Sequence, residues 1–135
     1  MSYYAHGGGS FHVNKENFDT LRETVNTWMA RGAEDEEPMV RFNSLICIDT
    51  LFSWFGFDVE LDDDGNIDSA YFPEDNASYT DEFLEVIAPY VEDGSRLKMT
   101  GEDGDQWLWC YKDHTFYECN AVITYKGDPY AEEGA

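Results

Sequence analysis

Two strand–turn–strand patterns constrain the fold of this 135-residue chain more than any other feature. Residues 57–72 alternate between apolar and polar side chains around Asp64-Gly65, a pair that tolerates the positive φ of a tight hairpin. Residues 106–112 and 115–125 form a similar pattern around a tight turn at Asp113-His114. With residues 95–100 as a further strand, the sequence predicts about five antiparallel strands in one sheet.

Helical periodicity predicts three helices that pack with this sheet. Apolar residues at positions 18, 21, 25, 28 and 29 share one face of a first helix, which begins after Asn14 and ends at Gly32. Residues 41–55 are too apolar for a surface element and predict a second, largely buried helix. A third helix is expected to begin at Ser78 or Thr80 and to end by Gly94, with Pro89 straining its last turn.

The two ends of the chain lack this patterning. Gly7-Gly8-Gly9 predicts a flexible opening before a short strand at residues 10–13, and residues 126–135 predict a loose tail. The composition, 42% hydrophobic and 16% aromatic, supplies enough apolar material for one core. We therefore expect a single acidic α+β domain over residues 1–125, an antiparallel sheet of about five strands packed with three helices.

The alternation in the second hairpin predicts which of its side chains share a face of the sheet. If it turns at Asp113-His114, the alternation places Trp107, Trp109, Tyr111 and Phe116 on one face, and Leu108, Cys110, Tyr117 and Cys119 on the other. We expect one face to form core and the other to lie under a helix or loop. An exposed aromatic face would instead mark a contact site.

Residue types that carry catalysis occur without a recognisable pattern. Cys47, Cys110 and Cys119 show neither CxxC spacing nor a nucleophile–histidine signature, and their apolar surroundings predict reduced, buried thiols. The sequence has no glycine-rich phosphate loop and no basic patch. We expect a protein that is not an enzyme and needs no cofactor. A cytoplasmic location is expected, because the N-terminus lacks a signal-peptide pattern and no segment reaches the roughly 20 apolar residues of a membrane span.

The first hairpin turn also resembles part of a calcium-binding EF-hand loop. Asp62, Asp64 and Gly65 fit the third, fifth and sixth places of that twelve-residue loop. The fit fails at Glu60 in the first place and at Tyr71 in the twelfth, where a bidentate Glu is needed. Because the flanks alternate as strands do, a hairpin is the preferred interpretation and no metal site is predicted. A calcium-linked regulatory module is the less favoured alternative.

Charge is the most specific functional signal in the sequence. Twenty-nine Asp and Glu residues oppose eight Lys and Arg, which gives a formal net charge of −21. Fourteen of the acids, and no Lys or Arg, lie between Phe42 and Ser95. Unmixed carboxylates on a folded body can imitate phosphates, and on the order of twenty would match a short duplex at about one charge per 1.7 Å of axis. The distribution therefore indicates nucleic-acid mimicry.

A chain of this charge is expected to bind a basic protein. Complementary charge steers such an encounter, whereas direct binding to nucleic acid or an anionic membrane is disfavoured. The candidate partner-binding residues are Glu34, Asp35, Glu36, Glu37, Asp58, Glu60, Asp62, Asp63, Asp64, Asp68, Glu74, Asp75, Asp81, Glu82 and Glu85. A solubility or halophile adaptation would produce a similar composition and is the competing explanation.

The stretch IAPYVEDGSRLKMTGEDGDQWLWCYKD, residues 87–113, resembles the C-terminal part of small acidic proteins of bacterial genomes and mobile elements. In size and charge the chain is also similar to phage-encoded inhibitors of host defence, the anti-CRISPR and anti-restriction proteins, several of which imitate DNA. This resemblance implies an inhibitor that blocks the basic nucleic-acid channel of a CRISPR effector or restriction nuclease in the host cytoplasm. An antitoxin or immunity protein that neutralises a basic toxin is the alternative function.

Overall fold

The computed structural model describes residues 4–32, 46–76 and 80–130, and of residues 74–76 the backbone alone. Six strands form one antiparallel sheet in the order β2-β3-β1-β4-β5-β6. This confirms the expected α+β domain with an antiparallel sheet and three helices, although the sheet has six strands instead of about five. The elements are β1 (Tyr4–Val13), α1 (Phe18–Gly32), α2 (Ile48–Ser53), β2 (Asp58–Leu61), β3 (Ile67–Asn76), α3 (Thr80–Val86), β4 (Arg96–Gly101), β5 (Gln106–Lys112) and β6 (Thr115–Asn120).

The Gly7-Gly8-Gly9 run lies in the middle of β1, so the prediction of a flexible opening there is wrong. β1 pairs with β3 on one side and with β4 on the other, which places Gly8 opposite both Tyr71 and Lys98. Glycine has no strand preference of its own, and here the two neighbouring strands impose the extended conformation. A Cβ atom on Gly8 would lie 2.6 Å from the Ala70 carbonyl oxygen. The glycines therefore allow a close approach of three backbones.

The core lies on one face of the sheet, beneath the three helices. β4 shows the alternation: Leu97 and Met99 are buried, whereas Arg96 and Lys98 are exposed. The buried apolar side chains of the helices are Leu21 and Val25 from α1, Ile48, Leu51 and Phe52 from α2, and Phe83 and Leu84 from α3. Because side chains alternate along a strand, the other residues of each strand form a second face, which is called the open face below.

Both predicted hairpins are present. β2 and β3 flank the turn at residues 62–66, and β5 and β6 flank a two-residue turn in which Asp113 and His114 have φ values of 53° and 58°. Tyr111 stands opposite Phe116, as the alternation predicted, and Trp109 and Tyr111 are buried on the helix side. The other face of this hairpin, which carries Tyr117, was expected to lie under a helix or loop. It belongs to the open face instead, and Tyr117 is 47% exposed there.

Several element boundaries differ from the sequence prediction; α1, for example, begins at Phe18 after a 3₁₀ turn at Lys15–Asn17. α2 begins only at Ile48, and residues 41–45 lie outside the described part of the chain. α3 ends at Val86, where a short 3₁₀ turn at Ala88–Tyr90 replaces it because the ring of Pro89 cannot continue an α-helix. The predicted strand at 115–125 stops at Asn120, and the following segment is exposed, with Val122 at 80%.

Tyr111 ties the sheet to α3. Its hydroxyl donates to the Leu84 carbonyl oxygen at 2.8 Å, and burial raises the pKa of Tyr111 well above its usual value.

In the unfolded chain the Tyr111 phenol ionises near pH ~10, so its ionisation favours unfolding as the pH rises above that value. We expect Tyr111→Phe to lose about 1 kcal/mol at pH 7. Its stability should also decline less steeply than the wild type's above pH ~10, as urea unfolding at several pH values would measure. Equal slopes would contradict this.

Candidate functional site

Six of the predicted partner-binding residues line one edge of the sheet, and they are called the β2-edge acids below. All six are exposed: Asp58, Glu60, Asp62, Asp63, Asp64 and Asp68. Asp58 stands opposite Tyr71 and Glu60 opposite Ser69, which places both on the open face of the outermost strand. The three consecutive acids occupy the β2–β3 turn, and Asp68 lies at the irregularity where β3 shifts register against β2. These six exposed acids therefore lie close together at one edge of the sheet.

Asp62 builds the turn that carries its neighbours. Its Oδ1 accepts backbone N–H groups of Asp64 at 2.9 Å and Asn66 at 3.0 Å, and its Oδ2 lies 3.3 Å from Asn66 Nδ2. The hydrogen bond from the Asn66 backbone is the main cause that lowers the pKa of Asp62. Asp62 therefore acts inside the turn, while Asp63 and Asp64 remain available at its surface.

Few cations neutralise the β2-edge acids. Within residues 4–32, 46–76 and 80–130, Arg22 Nη1 pairs with Asp19 Oδ1 at 2.7 Å, and His12 Nδ1 lies 3.4 Å from Asp68 Oδ1, a contact that is an ion pair only when the imidazole is protonated. Lys15 lies beside the same turn, where its backbone N–H donates to Asn66 Oδ1 at 2.9 Å. In this part of the chain Asp58, Glu60, Asp63 and Asp64 have no Lys or Arg nitrogen within 4.0 Å. Their charge is directed to solvent.

The predicted acids of α3 lie in the helix layer and not on the outermost strand or its turn. Asp81, Glu82 and Glu85 are exposed on a helix that packs near β5 and β6, as the bond between Tyr111 and Leu84 shows. β2 and β6 are opposite edges of the sheet, about 24 Å apart at five strand spacings. Asp81 lines a cleft with residues of β5 and β6, whereas Phe83 of the same helix stacks on Phe55 at 4.1 Å, so α3 extends from the β6 side of the molecule towards α2.

The remaining predicted residues lie outside the described part of the chain or are described by their backbone alone. Residues 34–37 lie outside the described part of the chain, and so do the capping candidate Ser78 and residues 131–135. Glu74 and Asp75 belong to the end of β3, where Asp75 pairs with Ala5 of β1. Arg96 and Lys98 lie on β4 in the middle of the open face. The open face is thus acidic at its β2 edge and basic at its centre.

The cysteines are at the surface, which contradicts the prediction of buried thiols. Cys47 and Cys119 are exposed, Cys110 is half-buried, and all three are free. Cys47 is the residue before α2, which is shorter than the sequence predicted. Cys110 and Cys119 lie on the open face, and they are accessible because no described helix covers that face. Desolvation is the main cause that raises the pKa of Cys110, and the neighbouring Cys119 adds to it. A raised pKa keeps this thiol protonated and disfavours nucleophilic chemistry.

A cleft of about 640 Å³ lies on the helix side of the sheet at the β5–β6 edge, and sequence reasoning did not find it. The indoles of Trp107 and Trp109 line it, 5.7 Å apart and inclined by 66°. Trp109 donates from Nε1 to Glu118 Oε1 at 2.7 Å, since the two residues stand opposite each other on β5 and β6. Asp81 and Asp105 complete the acidic lining. The WLW alternation beside Glu118 was the only signal in the sequence.

The fold and these surfaces define a small α+β domain with a six-stranded antiparallel sheet, one open face and acidic groups at both edges. No protein-family model, curated protein or solved structure matches the chain. Among the described residues, no three His, Cys, Asp or Glu side chains are grouped as metal ligands. No helix in the described part of the chain is both long enough and apolar enough to cross a bilayer.

Proposed function

We propose that this protein inhibits a host-defence nuclease or CRISPR effector by occupying its basic nucleic-acid-binding channel. The observation that carries the proposal is the set of β2-edge acids, in which Asp58, Glu60, Asp63 and Asp64 are exposed and form no ion pair with a Lys or Arg among the described residues. The proposed site of action is the cytoplasm of the cell that contains the effector.

The physical basis is replacement of phosphate by carboxylate. An effector holds nucleic acid with Arg and Lys side chains in a positively charged channel. Those side chains form charge-assisted hydrogen bonds with carboxylates as well as with phosphates. A net charge of −21 also attracts a basic channel from a distance, so encounter should be fast at low salt and slower as salt rises.

The β2-edge acids support a prediction about DNA competition. The triple variant Asp58→Asn, Asp63→Asn and Asp64→Asn removes three charges at nearly constant shape. If each contributes about 0.5–1 kcal/mol at a partly exposed interface, the variant should compete about 10- to 100-fold less well. The partner is first captured from host lysate at low salt. Displacement of a fluorescent DNA duplex from that purified partner is then measured at two salt concentrations.

A matched control separates this edge from net charge alone. Glu23→Gln, Asp93→Asn and Asp113→Asn remove the same number of exposed charges from α1, the segment before β4 and the β5–β6 turn, and this variant should compete like the wild type. Simultaneous binding of the protein and DNA to the partner would contradict mimicry. Equal weakening by both triple variants would show that only net charge matters. Capture of a basic toxin in place of an effector would favour the immunity function.

A further inference from the structure

The cleft at the β5–β6 edge has the chemistry of a cation-binding site. The half-buried indole of Trp107 supplies accessible aromatic surface, the buried indole of Trp109 packs behind it, and the charged residues that line the cleft are Asp81, Asp105 and Glu118, all acids. We infer that this cleft binds the guanidinium group of an arginine side chain on a partner polypeptide. The inference rests on the proposed function in naming a basic polypeptide as the ligand, but it concerns a surface at the edge opposite the β2-edge acids.

The aromatic walls are held in a fixed arrangement. Trp109 is only 2% exposed, and Trp107 packs at an angle of 66° against it while remaining half-buried. Trp is the most favourable ring for cation–π attraction, and Trp107 is the indole whose surface remains accessible to a ligand. Packing into the core removes the entropy cost of positioning these rings when a ligand binds.

Glu118 is positioned as well as charged. The hydrogen bond of 2.7 Å from Trp109 Nε1 engages its Oε1, so the carboxylate is held beside the indoles. Register places Glu118 directly across from Trp109, and Asn120 directly across from Trp107. The four side chains are therefore neighbours on the helix side of β5 and β6, where the Glu118 carboxylate lies beside Trp109 and the Asn120 amide lies beside Trp107.

The lining selects among ligand classes. An anion is repelled by the three carboxylates, and a purely apolar ligand would desolvate them without compensation. A planar guanidinium can stack on an indole and donate two hydrogen bonds to one carboxylate, which a compact ammonium cannot do. Arginine therefore fits both features of the cleft, and lysine fits only its charge.

The cleft is large enough and open enough for a side chain carried on a peptide. Its volume of about 640 Å³ lies within the usual range of ligand sites. The turn at Gly104, on the rim, has free space around it, since nothing lies within 4 Å of a Cβ built there. Ile123 adds apolar surface beside the rings, where the aliphatic stem of arginine can pack.

The test is an NMR titration of the full chain with acetyl-glycyl-arginyl-glycine amide, without any effector. The indole N–H signals of Trp107 and Trp109 should shift and saturate, with a Kd on the order of 1 mM at ~0.15 M salt. Trp28 and Trp54, which do not line the cleft, serve as internal controls. The citrulline peptide, a neutral analogue, should cause no saturating shift, and the lysine peptide should bind at least about threefold more weakly.

Two variants test the named residues. Glu118→Gln keeps an acceptor for Trp109 Nε1 and removes only the charge, so it should raise the Kd at least about fivefold. Trp107→Leu should raise it by a similar factor because a ring face is lost. Glu23→Gln, on α1, should leave the Kd unchanged. Signal dispersion in the spectra shows that each variant is folded.

Three outcomes would overturn the inference. They are equal binding of the citrulline peptide, equal binding of the lysine peptide, and linear shifts of all four indoles without saturation. The β2-edge triple variant should bind the arginine peptide normally. Failure of DNA competition with intact peptide binding would therefore reject the proposed function alone, and the reverse result would reject the cleft alone.

Discussion

Replacing Gly9 with alanine is expected to lower the free energy of unfolding by about 3 kcal/mol, a large part of the 5–15 kcal/mol typical of a domain. Gly9 lies in β1, and a Cβ atom there would overlap the carbonyl oxygen of Arg96 on β4. A backbone carbonyl in the sheet cannot rotate away as a flexible side chain can. The added methyl group must therefore push β1 and β4 apart, which weakens the ladder in the centre of the sheet.

Gly104→Ala is the matched control for this prediction. Gly104 has a φ of 90°, which disfavours alanine, but a Cβ atom there has no neighbour within 4 Å. It should cost about 1 kcal/mol from backbone strain alone. Urea unfolding followed by tryptophan fluorescence measures both variants. A Gly9→Ala variant as stable as Gly104→Ala would contradict the close packing of β1 against β4.

Phe52→Ala is expected to cost about 3–5 kcal/mol, because it removes the ring at the centre of the aromatic core. Phe52 is fully buried and meets Phe11, Phe57 and Phe83 edge-on at centroid distances of 6.0, 6.5 and 5.3 Å. These partners belong to β1, to the residue before β2 and to α3. Loss of the ring should therefore loosen the β2 edge, where the proposed interface lies.

Tyr117→Ala provides the comparison for Phe52→Ala. Tyr117 is 47% exposed on the open face, so deletion of its ring should change stability by only about 1 kcal/mol or less. Phe52→Leu should recover much of the loss, since it keeps apolar volume in the same place. Urea unfolding of the three variants checks the order. A loss for Phe52→Ala no larger than that for Tyr117→Ala would contradict the central role of Phe52.

Local patterns predicted the elements whose conformation depends on near neighbours. The turn at Asp113-His114 and the register of Tyr111 with Phe116 follow from period-two alternation. The apolar face of α1, with Leu21 and Val25 buried, follows from helical spacing. In contrast, the glycines of β1 adopt a strand conformation because β3 and β4 pair with them on both sides. These partners are far away in sequence, so the local residue preferences of the glycine run do not predict the strand.

The functional surfaces also differ in how far the sequence predicted them. The acids of the β2–β3 hairpin were predicted together because they are close in sequence, and they are together in the structure. Asp81, Glu82 and Glu85 are close to them in sequence, yet they lie on a helix, and Asp81 faces residues of β5 and β6. The cleft unites α3, β5, β6 and the segment after β6, so its acids and indoles are neighbours only after folding.

The amino-acid sequence alone determined that this chain is strongly acidic, that it forms two hairpins and three helices, and that it carries enough aromatic residues for one core. Only the tertiary structure decided which carboxylates share a surface, that the cysteines are exposed, and that two indoles and three acids line a cleft. The physical reason is range: turns and periodic faces depend on residues a few positions apart, whereas the position of a strand in a sheet depends on partners tens of residues away.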